Sequence, residues 1–342
     1  MRSYRWTCSG VLFLLAFMSG ESPSRGQSVR VEMGTPVAEI RIEARALREF
    51  VKSSSAKQFL EAAGQLPPIK PRTLHIDRKN KLYYRADEFA ALTEEQRAGL
   101  EEKSYDEAFY YLGRYGTPTA YCRAIDLAAE AGLTDLAGKH ILDFGYGMIG
   151  QLRMLAILGA DVTGVDVDPL LPVLYGFPGD QGDIAGTGSH PGRIKLVHGR
   201  YPAEAATVEA VGGGYDLVIS KNVLKRGYIH PAREADERML IKLGVDDATF
   251  AKAVYAALNP GGMFLIYNLC PKQAPPDKPY LPYSDGECPF AREVLESTGF
   301  KVVAFDTDDT TAARKMATLI GWQDDGMDIE NDLFAHYTLC RK

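Results

Sequence analysis

Apolar residues along the C-terminal two thirds of the chain fall into short blocks separated by polar, glycine-bearing turns. Ile141 and Leu142 open one block, and Val162 to Val165, Ile194 to His198, Tyr215 to Ser220, Met263 to Tyr267, Lys301 to Phe305 and Leu333 to Cys340 form six more. Each is strand-length, and between them lie stretches with helical spacing: Leu152 to Leu158, Ala248 to Leu258, Pro289 to Thr298 and Thr311 to Ile320. Strands alternating with helices predict an α/β fold: a doubly wound, mostly parallel seven-stranded sheet with its last strand antiparallel. Residues 40–135 carry helical signals instead. Glu43 to Val51 and Ser55 to Ala63 have helical spacing, and Thr93-x-x-Gln96 and Ser104-x-x-Glu107 have the spacing of capping boxes. Thr117-Pro118 reads as an N-cap followed by proline at the first helical position, ahead of a helix from Ala124 to Ala131. This predicts a helical N-terminal extension over 27–116 and a sheet domain over 117–342.

The block at 139–169 holds the richest pattern. A strand runs into Asp143-Phe144-Gly145-Tyr146-Gly147-Met148-Ile149-Gly150, a helix follows and stops at Gly159, and a second strand ends on Asp166. Glycines in such a turn let a ligand approach the backbone, and the helix start presents free N–H groups. An acid at the next strand tip can accept both hydroxyls of a ribose. The unit therefore reads as a nucleoside-cofactor site. Gly145-x-Gly147-x-x-Gly150 has the spacing of a dinucleotide fingerprint. Asp143 argues for a different ligand, because its carboxylate would repel a pyrophosphate and attract a sulfonium or an ammonium.

Leu142 to Gly147, followed by Val162-Thr163-Gly164-Val165-Asp166, resembles the first motif and second-strand acid of class I S-adenosylmethionine (SAM)-dependent methyltransferases. Asn259-Pro260-Gly261-Gly262 resembles that family's turn before its fifth strand. The resemblance covers roughly residues 117–342 and agrees with seven strands. It implies SAM as cofactor, with Asp143, Gly145, Tyr146, Gly147, Gly150, Asp166, Val167 and Asn222 as cofactor-binding positions and the extension as a lid. Gly199-Arg200 departs from the family, many of whose members place an acceptor for the adenine amino group there; arginine has none.

Ligands of open α/β sheets sit beyond the carboxyl ends of the strands. That rule adds His198–Tyr201, Lys221–His230 and Asn268–Lys272 to the candidate site. His230 is the predicted catalytic base for a hydroxyl acceptor, ahead of Tyr228 and Lys221, because an imidazole titrates nearest neutrality. Lys225 and Arg226 are candidates to receive an anionic substrate group. Tyr110, Tyr111, Tyr115 and Tyr121 either line the pocket or pack the helices.

A formal net charge of −6 and no run rich in Lys or Arg argue against sequence-independent nucleic-acid binding, leaving a small molecule as the expected partner. Arg2 and Arg5, the apolar run Val11 to Met18 and the small residues around Ser24-Arg25-Gly26 have the layout of a signal peptide over 1–26, too short to span a bilayer. They imply export, unless translation starts at Met33, in which case the protein is cytoplasmic. Beyond residue 26 there remain Cys122, Cys270, Cys288 and Cys340, of which Cys270 and Cys288 flank one loop and could pair. No zinc-site spacing, serine-hydrolase elbow or P-loop occurs. The expected activity is methyl transfer to a small molecule. The alternatives are a NAD-dependent oxidoreductase and an exported, non-catalytic binding module of the same fold.

Overall fold

A computed structural model describes residues 34–113, 116–186 and 190–342. The signal-like segment, Met33 and Tyr115 lie outside the described residues.

The extension is not purely helical. After the helices Pro36–Leu47 and Ser54–Ala62, the strands β1 (Arg72–Asp77), β2 (Leu82–Tyr84) and β3 (Glu101–Tyr105) form a small antiparallel sheet in the order β2-β1-β3. Only Leu74 and Ile76 of β1 are buried, and β3 is largely charged, so these strands carry too short an alternation to stand out in the sequence. Thr93 does form its capping box, with Gln96, but it opens a helix of a single turn, Glu94–Arg97. Ser104 belongs to β3. The helix Glu107–Leu112 is capped instead by Asp106, whose carboxylate accepts from the Phe109 N–H.

Among the described residues the main sheet has eight strands: β4 (His140–Phe144), β5 (Asp161–Asp166), β6 (Gly182–Ile184), β7 (Gly192–His198), β8 (Tyr215–Lys221), β9 (Leu258–Cys270), β10 (Lys301–Asp308) and β11 (Phe334–Arg341). Their spatial order is β10-β11-β9-β8-β4-β5-β7-β6. β4, β5, β7, β8 and β9 are mutually parallel, and β11 runs antiparallel between β9 and β10. The expected doubly wound sheet with an antiparallel last strand is therefore present, with one strand more than the seven expected. The addition, β6, lies in the Gly- and Pro-rich loop after β5 and pairs antiparallel with the edge of β7. Three residues leave no periodicity to read. The turn Asn259–Gly262 lies at the β8–β9 register shift between the pairs Tyr215↔Leu258 and Leu217↔Met263.

Alternation along the strands divides the core into two layers. Ile141, Leu217, Ile219, Leu265 and Tyr267 face the N-terminal helices and the helices Cys122–Glu130, Gly150–Ile157 and Thr310–Leu319. Leu142, Val218, Phe264 and Ile266 face the helices Asp247–Ala257 and Arg292–Thr298. The first core is continuous across residue 116: the helix Ser54–Ala62 packs on Cys122–Glu130 and Gly150–Ile157. Asp126, fully buried, takes the Lys52 and Ser53 N–H groups and fastens the extension from below.

Candidate cofactor site at the carboxyl ends of β4, β5 and β8

The chain leaves β4 through Gly145 and Gly147, both in the left-handed region at φ +74° and +56°. A side chain at 145 would also collide with Val223, which the loop after β8 sets 2.6 Å from where a Cβ would be. The Gly145 N–H donates to the Val165 carbonyl and the Gly147 N–H to Asp166 Oδ2 at 3.0 Å. Asp166 Oδ1 accepts from the Asp168 N–H at 2.9 Å. Burial raises the Asp166 pKa, against the opposing pull of these N–H groups. Asp166 thus anchors the glycine turn to the tip of β5, and each oxygen keeps a lone pair for a further donor.

Asp143 lies below the turn with no solvent exposure. Its Oδ2 accepts from Gln151 Nε2 at 2.9 Å, and the same Gln151 nitrogen donates to the Tyr146 carbonyl at 2.9 Å. The Tyr121 hydroxyl neighbours both, 3.5 Å from Gln151 Nε2. Burial pushes the Asp143 carboxyl up to about 7, while Gln151 and Tyr121 hold it down. Asp143 Oδ1 and Gln151 Oε1 are buried acceptors with no hydrogen-bond partner among the described residues. Buried acceptors are seldom left so, and a pair in one cluster beside an acid fits a ligand group that brings donors and positive charge. A pyrophosphate brings neither.

The remaining expected positions divide by what they touch. Gly147, Asp143, Gly145 and Asp166 surround the turn. Val167, more than half exposed, forms its rim, with its carbonyl facing His198 Nε2 at 3.2 Å. The Tyr146 ring is buried against Gly164, so the residue offers the site only its backbone. Gly150 makes room for the Tyr111 carbonyl and Pro118, which is a packing demand. Asn222, at φ +65°, spends its side-chain oxygen on the Leu269 N–H at 2.7 Å, and its own N–H on the Tyr267 carbonyl, tying β8 to β9.

Beyond the turn, several candidates are engaged in building the scaffold. Lys225 is buried and donates to the Leu269 and Tyr283 carbonyls at 2.6 and 3.0 Å. Arg226 binds Asp285 at 2.9 Å and also Glu287. Both hold the loop 281–287 in place and leave no free charge for a substrate anion. His230 is half exposed and pairs with Asp247 at 2.9 Å, one turn before Phe250, whose ring meets Phe144 edge to face. It lies toward the carboxyl end of the sheet but outside the Asp143 cluster. Tyr110 and Tyr111 are buried, with hydroxyls donating to Asp180 and to the Pro67 carbonyl, and of the described tyrosines in that group Tyr121 alone reaches Asp143. Cys270 and Cys288 are separate buried thiols.

Gln151 and Lys221 complete the cluster; Lys221 is expected from the sequence only as a lesser candidate base behind His230, and Gln151 is not among the expected positions. Gln151 is a polar residue on a helix, Gly150–Ile157, whose every position is buried, and that is the signal that identifies it. Lys221 ends β8 at 7% exposure, its amine 5.3 Å from the Tyr121 ring centre.

No protein-family profile matches the chain, and no curated protein does. Similar solved structures include several SAM-dependent methyltransferases. The [4+2]-cyclase SpnF is 17% identical over 64% of this chain and 80% of its own, with a TM-score of 0.38. A putative sarcosine dimethylglycine methyltransferase from Galdieria sulphuraria is 13% identical over 65% and 88%, with a TM-score of 0.35. A Haemonchus contortus phosphoethanolamine-type N-methyltransferase, in complex with phosphomonomethylethanolamine and S-adenosylhomocysteine, is 15% identical over 71% and 62%, with a TM-score of 0.38.

Proposed function

We propose that the carboxyl edge of the main sheet binds SAM and that the protein transfers its methyl group to a small-molecule acceptor. The observation that carries this reading is the pair of unpartnered buried acceptors, Asp143 Oδ1 and Gln151 Oε1, under a glycine turn that ends against Asp166. When bound, SAM supplies a methyl group on a sulfonium. Asp143 and Gln151 would accept from its ammonium group. Asp166, already fixed by two backbone N–H groups, would accept from the ribose hydroxyls with its remaining lone pairs. Val167 offers an apolar surface beside them. With the reactants held in line, positioning alone supplies much of the acceleration of such a displacement.

The test is calorimetric titration of the full chain with SAM, S-adenosylhomocysteine and NAD. Micromolar binding of SAM or S-adenosylhomocysteine and none of NAD is the expected result. NAD binding alone would replace the proposal with the oxidoreductase, and a folded protein silent to all three ligands would sink it in favour of a non-catalytic module.

A further inference from the structure

Two lysines follow one another closely at the end of β8, and they differ in what their amines meet. Lys225 is tied to two carbonyls. Lys221, at 7% exposure, has an amine with no hydrogen-bond partner among the described residues and only a narrow opening to solvent. The titratable groups facing it are Asp143 from β4, Tyr121 and Cys122 from the start of the helix Cys122–Glu130, and Lys225 from its own loop. None of them lies within hydrogen-bond distance of the amine, so no direct contact holds an ammonium in place. A buried ammonium without acceptors loses hydration that nothing replaces, so the neutral amine gains. Burial and Lys225 together bring the Lys221 amine down to about 8, against the opposing pull of Asp143.

We infer that Lys221 is the proton acceptor of this site, serving a substrate whose attacking atom is a hydroxyl or thiol. The inference rests on the methyl-transfer reading and adds to it the class of acceptor and the base. The attacking atom forms its bond to the methyl carbon while the carbon–sulfur bond breaks and leaves its electron pair on sulfur, turning the sulfonium into a neutral thioether. The proton of the attacking atom passes to the neutral Lys221 Nζ. The resulting ammonium faces the Asp143 carboxylate and the Tyr121 ring, both of which favour positive charge.

Limited reductive methylation of the full chain with formaldehyde and cyanoborohydride, across a pH series and read by peptide mass spectrometry, tests this without knowing the substrate. Lys221 is expected to label with a midpoint about two pH units below the ordinary lysine value near 10.4. Saturating S-adenosylhomocysteine is expected to slow that labelling. Asp143→Asn is expected to move the midpoint lower still, because it removes the charge that favours the ammonium. A midpoint shared with the exposed lysines, no labelling at any pH where the protein stays folded, or a midpoint indifferent to Asp143→Asn would each overturn the proposal. Failure of S-adenosylhomocysteine to bind in the calorimeter, with a low midpoint retained, would sink methyl transfer as the reaction while leaving the titration result intact, so the two failures are distinguishable.

Discussion

Two buried aspartates, Asp143 and Asp180, each bond a side chain of the helix Gly150–Ile157, and their surroundings are opposite. Asp180 takes Arg72 in two bonds at 2.6 and 2.8 Å, the Tyr110 hydroxyl at 2.8 Å and the Phe177 N–H at 3.0 Å, with Arg153 at 3.4 Å. Arg72 is further enclosed by the Tyr110 and Phe177 rings. Both oxygens are paired, and the cluster joins β1 of the extension to the helix and to the loop after β5. Asp143 keeps one oxygen without a partner, beside a glutamine whose own oxygen is unpaired and a lysine that makes no hydrogen bond among the described residues. A satisfied buried network fixes structure, whereas an unsatisfied one costs stability unless something else completes it. The comparison assigns Asp180 to the scaffold and, on the proposed reading, leaves Asp143 for the ligand.

The largest expected effect comes from the closed cluster. Asp180→Ala leaves two buried guanidinium groups without their carboxylate and should destabilise the fold by about 3–5 kcal/mol, read from urea unfolding. A loss under about 1 kcal/mol would mean that the extension is fastened elsewhere, by Asp126 for instance, and the contrast would lose its scaffold half.

The open cluster was the more legible of the two in the sequence. Asp143, Gly145, Gly147 and Asp166 lie within 24 residues of one another, and glycine spacing with an acid at the next strand tip has a local physical reason. The Asp180 cluster gave no such signal, because Arg72, Tyr110, Arg153 and Asp180 come from four separate segments that only the tertiary fold joins. Distance in sequence likewise hid Tyr121 and Lys221 as neighbours of Asp143. The small sheet β1–β3 and the edge strand β6 escaped for another reason. They are short and mostly half-buried, so hydrophobic alternation never builds up. Asn222 and Lys225 look functional by position, yet the backbone of β9 at Leu269 claims both.

Asp143→Asn sharpens the contrast from the other side. Burial raises the folded-state pKa of Asp143 to about 7, above the value near 3.9 expected in the unfolded chain. The charged form is therefore disfavoured by folding, and stability falls as pH rises from about 4 to about 7 and stays lower beyond. Asparagine removes that loss and brings an amide donor that can meet Gln151 Oε1. At pH 8 the variant should be more stable than the parent by about 1–2 kcal/mol, with the gap narrowing toward pH 4, while SAM binding weakens about tenfold. Thermal unfolding at the two pH values and one calorimetric titration decide it. A variant that is less stable at pH 8 would place Asp143 with Asp180 among the structural residues.

The smallest effect belongs to His230, which belongs to neither cluster. Its imidazole is half exposed, and Asp247, its partner, is itself partly exposed, so solvent screens the pair. Exposed ion pairs contribute between about 0 and 1 kcal/mol, and His230→Ala should cost no more than that in urea unfolding. The carboxylate does orient the ring, as a base would require, and the position one turn from Phe250 keeps it near the end of β4. What separates it from Lys221 is that, among the described residues, its ring bonds to Asp247 and to no part of the Asp143 cluster or the glycine turn. His230→Ala is accordingly expected to leave S-adenosylhomocysteine affinity within about twofold of the parent, a difference of about 0.4 kcal/mol. A tenfold loss would bring the His230–Asp247 pair into the ligand site, and the division between an open functional cluster and a closed structural one would need a third member.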